Sequence, residues 1–277
     1  MRRFWYRVFS SLLGRAALLI LLAGAGAQAP HDSPAHVQLI WDGNPIRSGH
    51  KLWVGVLFQL DPGWHIYWRN PGDSGAPPKI EWKLPPNFRG GAILWPRPIL
   101  LGTSSVRDYG YEGQVLLITP LQTPPNLQSP APISIAATVK YIVCREICIP
   151  GKADLTLSVP LHGQSVTGQS PWRELFQKTR ALLPAAPPPD WIVSATLEGD
   201  NFVLTLRGGS AEEMRFFPLE PGVIENAAPQ TLSAVQNGLR LTLKKSDQLL
   251  KPVPALKGVI VLDKDRAYEI AVPVKSS

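Results

Sequence analysis

The chain has 277 residues with 29 prolines, 23 glycines, two cysteines and 18% charged residues, and its 44% apolar content excludes a disordered polymer. Its formal net charge is +7, but Arg2, Arg3, Arg7 and Arg15 stand in the first 27 residues, which hold no acid. Taking those four from the 28 basic residues leaves 24 against 21 acidic ones, or +3 with no basic stripe, which gives no case for a nucleic-acid partner.

The leading arginines are followed by an apolar run from Ala16 to Leu22 and by small residues ending Ala25-Gly26-Ala27. This order predicts a secretory signal peptide over residues 1–27, and the run is shorter than the ~20 residues a spanning helix needs. No later segment comes closer, so the mature chain is expected to be exported, soluble, periplasmic and without a transmembrane segment.

From Val37 the apolar residues alternate: Val37, Leu39 and Trp41, then Leu52, Val54, Val56, Phe58 and Leu60 beyond Asp42-Gly43-Asn44. Period two means strands with one buried face. Turns at Asp61-Pro62-Gly63, Asn70 to Gly75 and Pro85-Pro86 separate further runs at Ile80 to Leu84 and Ala92 to Trp95. Val115 to Thr119, Ile133 to Val143 and Ala153 to Val159 complete a set that favours a sandwich over residues 28–160.

Residues 161–189 change character. Ser170 can cap a helix with Pro171 at its first position, and Trp172, Leu175, Phe176, Thr179, Leu182 and Leu183 share one helical face, predicting a helix over about 171–183. Pro184 and Pro187-Pro188-Pro189 end it and read as a stiff spacer. Residues 190–277 return to strand patterning, at Ile192 to Leu197, Asn201 to Leu206, Met214 to Pro218, Leu239 to Leu243, Gly258 to Leu262 and Tyr268 to Val274. The expected architecture is all-β: an immunoglobulin-like sandwich, a short helix with a proline-rich linker, and a second, smaller β-sandwich lacking Cys and His.

The only cysteines, Cys144 and Cys148, stand four apart between strand-like runs. Disulfide Cα atoms lie about 4.4–6.8 Å apart, whereas four steps of straight strand span roughly 13 Å. The chain must therefore turn, with Arg145, Glu146 and Ile147 as a hairpin loop. Closing so short a loop stabilises by only about 2 kcal/mol in the chain-entropy model, little for a domain of this size. Arg145, Lys140 and Lys152 would favour a thiolate and Glu146 would oppose it. A redox pair, a structural staple and a metal site all stay open, the last without a local His.

Gly72-Asp73-Ser74-Gly75 has the form of a serine-protease nucleophile segment, but too little chain precedes it for a first barrel with its His and Asp, and a Pro/Gly-rich turn explains it better. Trp41, Trp53, Trp64, Trp68, Trp82 and Trp95 could line a carbohydrate platform, though alternating aromatics are more often core.

The run Gly63-Trp64-His65-Ile66-Tyr67-Trp68-Arg69-Asn70-Pro71-Gly72-Asp73-Ser74-Gly75-Ala76-Pro77-Pro78, followed by Ile80-Glu81-Trp82, resembles the N-terminal periplasmic domain of DsbD-type thiol:disulfide interchange proteins. Tyr109 to Gly113 and the cysteine segment from Val143 to Gly151 resemble the same group, especially its suppressor-of-copper-sensitivity branch. The resemblance covers roughly residues 35–160. It implies a thiol-disulfide oxidoreductase, needing no cofactor or metal, that passes electrons from a membrane-embedded thiol donor to periplasmic thioredoxin-like proteins. Cys148 would form mixed disulfides and Cys144 would resolve them. Asp108, Tyr109, Gly110 and Tyr111 would correspond to a cap over the sulfurs, with Tyr109 and Tyr111 limiting wrong partners and Asp108, Glu112 and Arg145 tuning the thiols. The cysteines are closer together than in better-known members, and neither the transmembrane nor the thioredoxin-like domain follows before Ser277, so a donor in trans is expected. The alternatives are a copper-handling protein that joins His65 to the cysteines, and a non-catalytic scaffold with a structural disulfide.

Overall fold

The structure is a computed structural model, and it describes residues 33–103, 105–163 and 170–276. The expected signal peptide lies outside them. Alternating residues write the first strands: β1 (Ala35–Trp41), β2 (Lys51–Leu60), β3 (His65–Gly72), β4 (Lys79–Lys83) and β5 (Arg89–Gly90). They are followed by β6 (Ile99–Gly102), β7 (Arg107–Glu112), β8 (Gln114–Gln122), β9 (Ile133–Cys144) and β10 (Cys148–Val159). One sheet has the order β1-β2-β8-β5, the other β10-β9-β3-β7-β6 with β4 also on β9. Val54, Val56, Phe58 and Leu117 from the first meet Ile66, Val139, Tyr141 and Val143 from the second in one core. Burial of each such side chain is worth about 1.5–3 kcal/mol. The expected sandwich is present.

The run Ala92 to Trp95 is not a strand. Only Leu94 bridges, to Ile118, because Pro96 and Pro98 follow at once and cannot donate to a ladder.

The helix α1 (Arg173–Ala181) begins two residues later than expected. The Ser170 hydroxyl accepts the Trp172 N–H at 3.2 Å, a local turn, and Trp172 rather than Ser170 occupies the cap position. Pro171 therefore precedes the helix. Phe176 is fully buried against Ile40, Leu57, Leu116 and Ile118, so α1 covers the outer face of the four-stranded sheet. The proline segment is likewise no free spacer. Ala185 donates to Ala267 O and accepts from Glu269 N, both at 2.9 Å, which pins it to the last strand of the chain.

Beyond the linker come β11 (Ile192–Glu198), β12 (Asn201–Arg207), β13 (Met214–Pro218), β14 (Thr231–Val235), β15 (Gly238–Lys244), β16 (Ala255–Leu262) and β17 (Arg266–Ser276). They form one seven-stranded path, β13-β16-β17-β11-β12-β15-β14. Long β17 pairs antiparallel with β16 and parallel with β11, so the sheet curls around Phe202, Leu204, Phe216, Leu241 and Ile260. The alternate residues Phe217, Val259, Val261 and Ala267 face the other way and join the core of the first sandwich. Residues Ser33–Ser277 thus make one compact unit.

Candidate active site

The β9–β10 ladder places Cys144 directly opposite Cys148. The two are joined, with S–S 2.08 Å and Cα atoms 4.1 Å apart. Arg145, Glu146 and Ile147 form the tip, closed by Arg145 N donating to Ile147 O at 3.0 Å. Cys144 is buried, whereas Cys148 is exposed at the start of an edge strand, between exposed Ile147 and Ile149. The two cysteine residues are therefore unequal in exposure.

Tyr141 and Val143 point into the core, so strand alternation turns Cys144 to the outer face of its sheet. Its register partner on β3 is His65, and Tyr67 follows on the same face. The Tyr67 hydroxyl donates to Cys144 Sγ at 3.0 Å and lies 3.8 Å from Cys148 Sγ. A loop from Asn70 to Gly75 folds over this tyrosine. Gly75 (φ +68°) lies flat on its ring, where a Cβ would come within 2.1 Å of Cζ. Gly72 (φ +91°) lets the chain approach β7, where a Cβ would be 2.4 Å from Arg107 O. Ser74 N and Oγ both donate to the Asp108 carboxylate, at 2.8 and 2.7 Å, and Ser74 Oγ is 3.4 Å from the Tyr67 hydroxyl.

Burial lowers the His65 pKa below its ordinary value, against the pull of the Asp108 and Glu112 carboxylates. Burial also raises that of Tyr67, with Asp108 adding to the rise and the Ser74 hydrogen bond opposing it. Tyr67 is thereby kept a protonated donor. A hydroxyl aimed at the buried sulfur can stabilise that sulfur if it leaves as thiolate, and Cys148 is the more exposed of the two residues.

The sequence-predicted residues divide by sheet face. Asp108 and Glu112 share the face of the disulfide, Asp108 through Ser74 and Glu112 opposite His65. Tyr109 and Tyr111 do not cap the sulfurs. They lie on the inner face, buried in the core, with hydroxyls donating to Asn226 Oδ1 and Pro96 O at 2.7 Å. Burial holds both phenols well above their ordinary pKa. Neighbouring cations are also spent elsewhere. Arg145 pairs with Glu146 and stacks on Trp64 at 5.2 Å, while Lys140 binds Glu81 and Lys152 binds Asp154. The residues that do surround the sulfurs, Tyr67 with Ser74 and Gly75 behind it, stand in the tryptophan motif, but nothing in their spacing links them to Cys144.

Ser74 donates to a carboxylate and, among the described residues, has no histidine partner, as befits a turn residue rather than a nucleophile. Trp68 is 1% exposed and Trp64 is covered by Arg145, so the two offer no open carbohydrate platform. Among the described residues no group of three or more His, Cys, Asp or Glu could hold a metal ion. No helix among the described residues is long and apolar enough to cross a membrane.

Residues 40–160 match the family model of the N-terminal domain of thiol:disulfide interchange protein DsbD. The crystal structure of the N-terminal periplasmic domain of ScsB from Proteus mirabilis superposes with a TM-score of 0.66 at 20% identity, covering 88% of this chain and 96% of that one. The periplasmic chaperone SfaE aligns over 86% of this chain and 100% of that one at 10% identity, with a TM-score of only 0.22. No curated protein sequence matches the chain.

Proposed function

Because residues 40–160 match the family model of the DsbD N-terminal domain, we propose that the Cys144–Cys148 pair is redox-active and carries reducing equivalents from a membrane-embedded thiol donor to periplasmic thioredoxin-like proteins. The supporting observation is the asymmetry of the pair, one cysteine exposed and the other buried under a tyrosine hydroxyl. A donor thiolate attacks Cys148 Sγ in line with the disulfide. The S–S bond breaks, Cys144 leaves as a thiolate beside the Tyr67 hydroxyl, and a mixed disulfide forms. The donor's second thiolate then attacks its own bridged sulfur and releases Cys148. The donor is left as a disulfide and this chain as a dithiol, two electrons having moved. Passing them on runs the same steps in reverse: Cys148 attacks the acceptor disulfide and Cys144 resolves the intermediate. Exposed Ile147 and Ile149 give a partner an apolar rim beside the reacting sulfur.

Trapping tests this directly. Cys144→Ser leaves Cys148 without its resolving thiol, so periplasmic expression should yield mixed disulfides that dithiothreitol releases, and Cys148→Ser should yield far fewer. If neither variant captures a thiol protein and the double variant supports normal periplasmic thiol balance, the pair is a structural clip.

A further inference from the structure

We propose that the second β region is part of the redox site, with Asn226 and Asn70 as positioning residues that hold the Asn70–Gly75 loop where it sets Tyr67 against Cys144. The inference rests on the redox reading above and adds a residue outside the matched domain.

The loop has little of its own to fix it, since Gly72 and Gly75 occupy left-handed backbone and Asp73 and Ser74 are polar. Polar ties hold it instead, and two of them come from the far region. Asn70, 1% exposed, accepts Gly72 N on its Oδ1 and donates Nδ2 to Pro218 O at 2.8 Å, at the end of β13. Asn226, between β13 and β14, donates Nδ2 to Asp73 Oδ1 and accepts the Tyr109 hydroxyl on Oδ1, each at 2.7 Å. A hydroxyl donor on one side and a carboxylate on the other match the two ends of an amide, so Asn226 joins loop, core strand and second region at one point. Asp73 Oδ2 also accepts Arg107 N at 2.7 Å, which fixes the carboxylate for the far-side tie. The next residues in the chain are Ser74, 3.4 Å from the Tyr67 hydroxyl, and Gly75, against its ring. The tyrosine cannot turn away from Cys144 while the loop stays, and the loop is tethered from the second region.

The test measures the reduction equilibrium of the mature chain in glutathione buffers across pH, together with urea stability, for Asn226→Ala, Tyr67→Phe and the double variant. Partial release of a hydrogen bond to a thiolate predicts that Asn226→Ala disfavours reduction about threefold, less than Tyr67→Phe does, and adds nothing in the Tyr67→Phe background. Asn226→Asp guards against misfolding of the alanine variant. It keeps an acceptor for Tyr109 but sets a carboxylate against Asp73, and the same shift is expected. A loss of stability with the equilibrium unmoved, or an equal shift with and without the Tyr67 hydroxyl, overturns the inference while leaving the redox reading standing. A wild-type disulfide that resists reduction under these conditions overturns both.

Discussion

Tyr67→Phe removes one oxygen and leaves the ring that Gly75 covers, so it isolates the hydroxyl's effect on the sulfurs. In the oxidised protein that hydroxyl donates to a neutral sulfur at 3.0 Å, a bond worth about 0.5–1.5 kcal/mol; to a Cys144 thiolate in the reduced protein the same bond would be worth about 1.5–3 kcal/mol. The difference, about 1.4 kcal/mol, favours the reduced form and vanishes in the variant. For a two-electron couple this is about tenfold in the reduction equilibrium, or about 30 mV toward the reducing side. Equilibration with glutathione buffers, an acid quench and counting of alkylated thiols measure it. The shift should fade at pH values low enough to protonate both thiols of the reduced form, because the bond then meets a neutral group in each state. An unchanged equilibrium, or a shift with no pH dependence, would refute the assignment of Tyr67 as the donor that stabilises the leaving sulfur.

Gly75→Ala combines left-handed backbone with a Cβ inside the Tyr67 ring, so urea denaturation should show a loss of about 1–3 kcal/mol and the reduction equilibrium should move as in Tyr67→Phe. His65 has a folded pKa below its unfolded value, so the unfolded chain binds the proton first. Stability should therefore fall as pH drops from about 6.5 toward the lowered folded value, and His65→Gln should flatten that part of a denaturation-versus-pH curve. Replacing both cysteines by serine should cost only about 2 kcal/mol in the urea midpoint analysis and leave the far-ultraviolet circular dichroism unchanged. Phe176→Ala should cost about 3–5 kcal/mol by opening the contact between α1 and the four-stranded sheet, and should leave the reduction equilibrium unmoved.

Strands with one face in the core were legible in the sequence, as β10 and β15 show: their apolar residues alternate because only one side is buried. The strands that frame the site were not. In β3, Ile66, Tyr67 and Trp68 are all buried, two toward the core and one beneath the loop, so the period of two is lost. In β7, Asp108 is buried by its bonds to Ser74 and Gly110 by its closeness to Ile66 O, neither of which reads as strand. The misplacement of Tyr109 and Tyr111 has the same root. Alternation separates them from Asp108 and Glu112 in any strand, but only the register of β3 with β9, His65 opposite Cys144, tells which set shares a face with the disulfide. Such pairing joins segments almost eighty residues apart, and no local pattern carries it.

That register also bears on whether the disulfide serves stability or exchange. A staple is most effective where it joins chain segments that would otherwise be independent, because its main effect is to restrict the unfolded chain. Cys144 and Cys148 are already opposite partners in a twelve-residue ladder, and the loop they close is held by its own backbone hydrogen bond. Breaking the S–S bond therefore releases little that the ladder does not keep. The bond instead leaves one sulfur on an exposed edge and the other beneath a hydroxyl whose orientation depends on a loop tied from another region. A clip needs none of these supports, whereas thiolate exchange uses each: access for attack, a stabilised leaving sulfur, and a frame that persists when the sulfurs part.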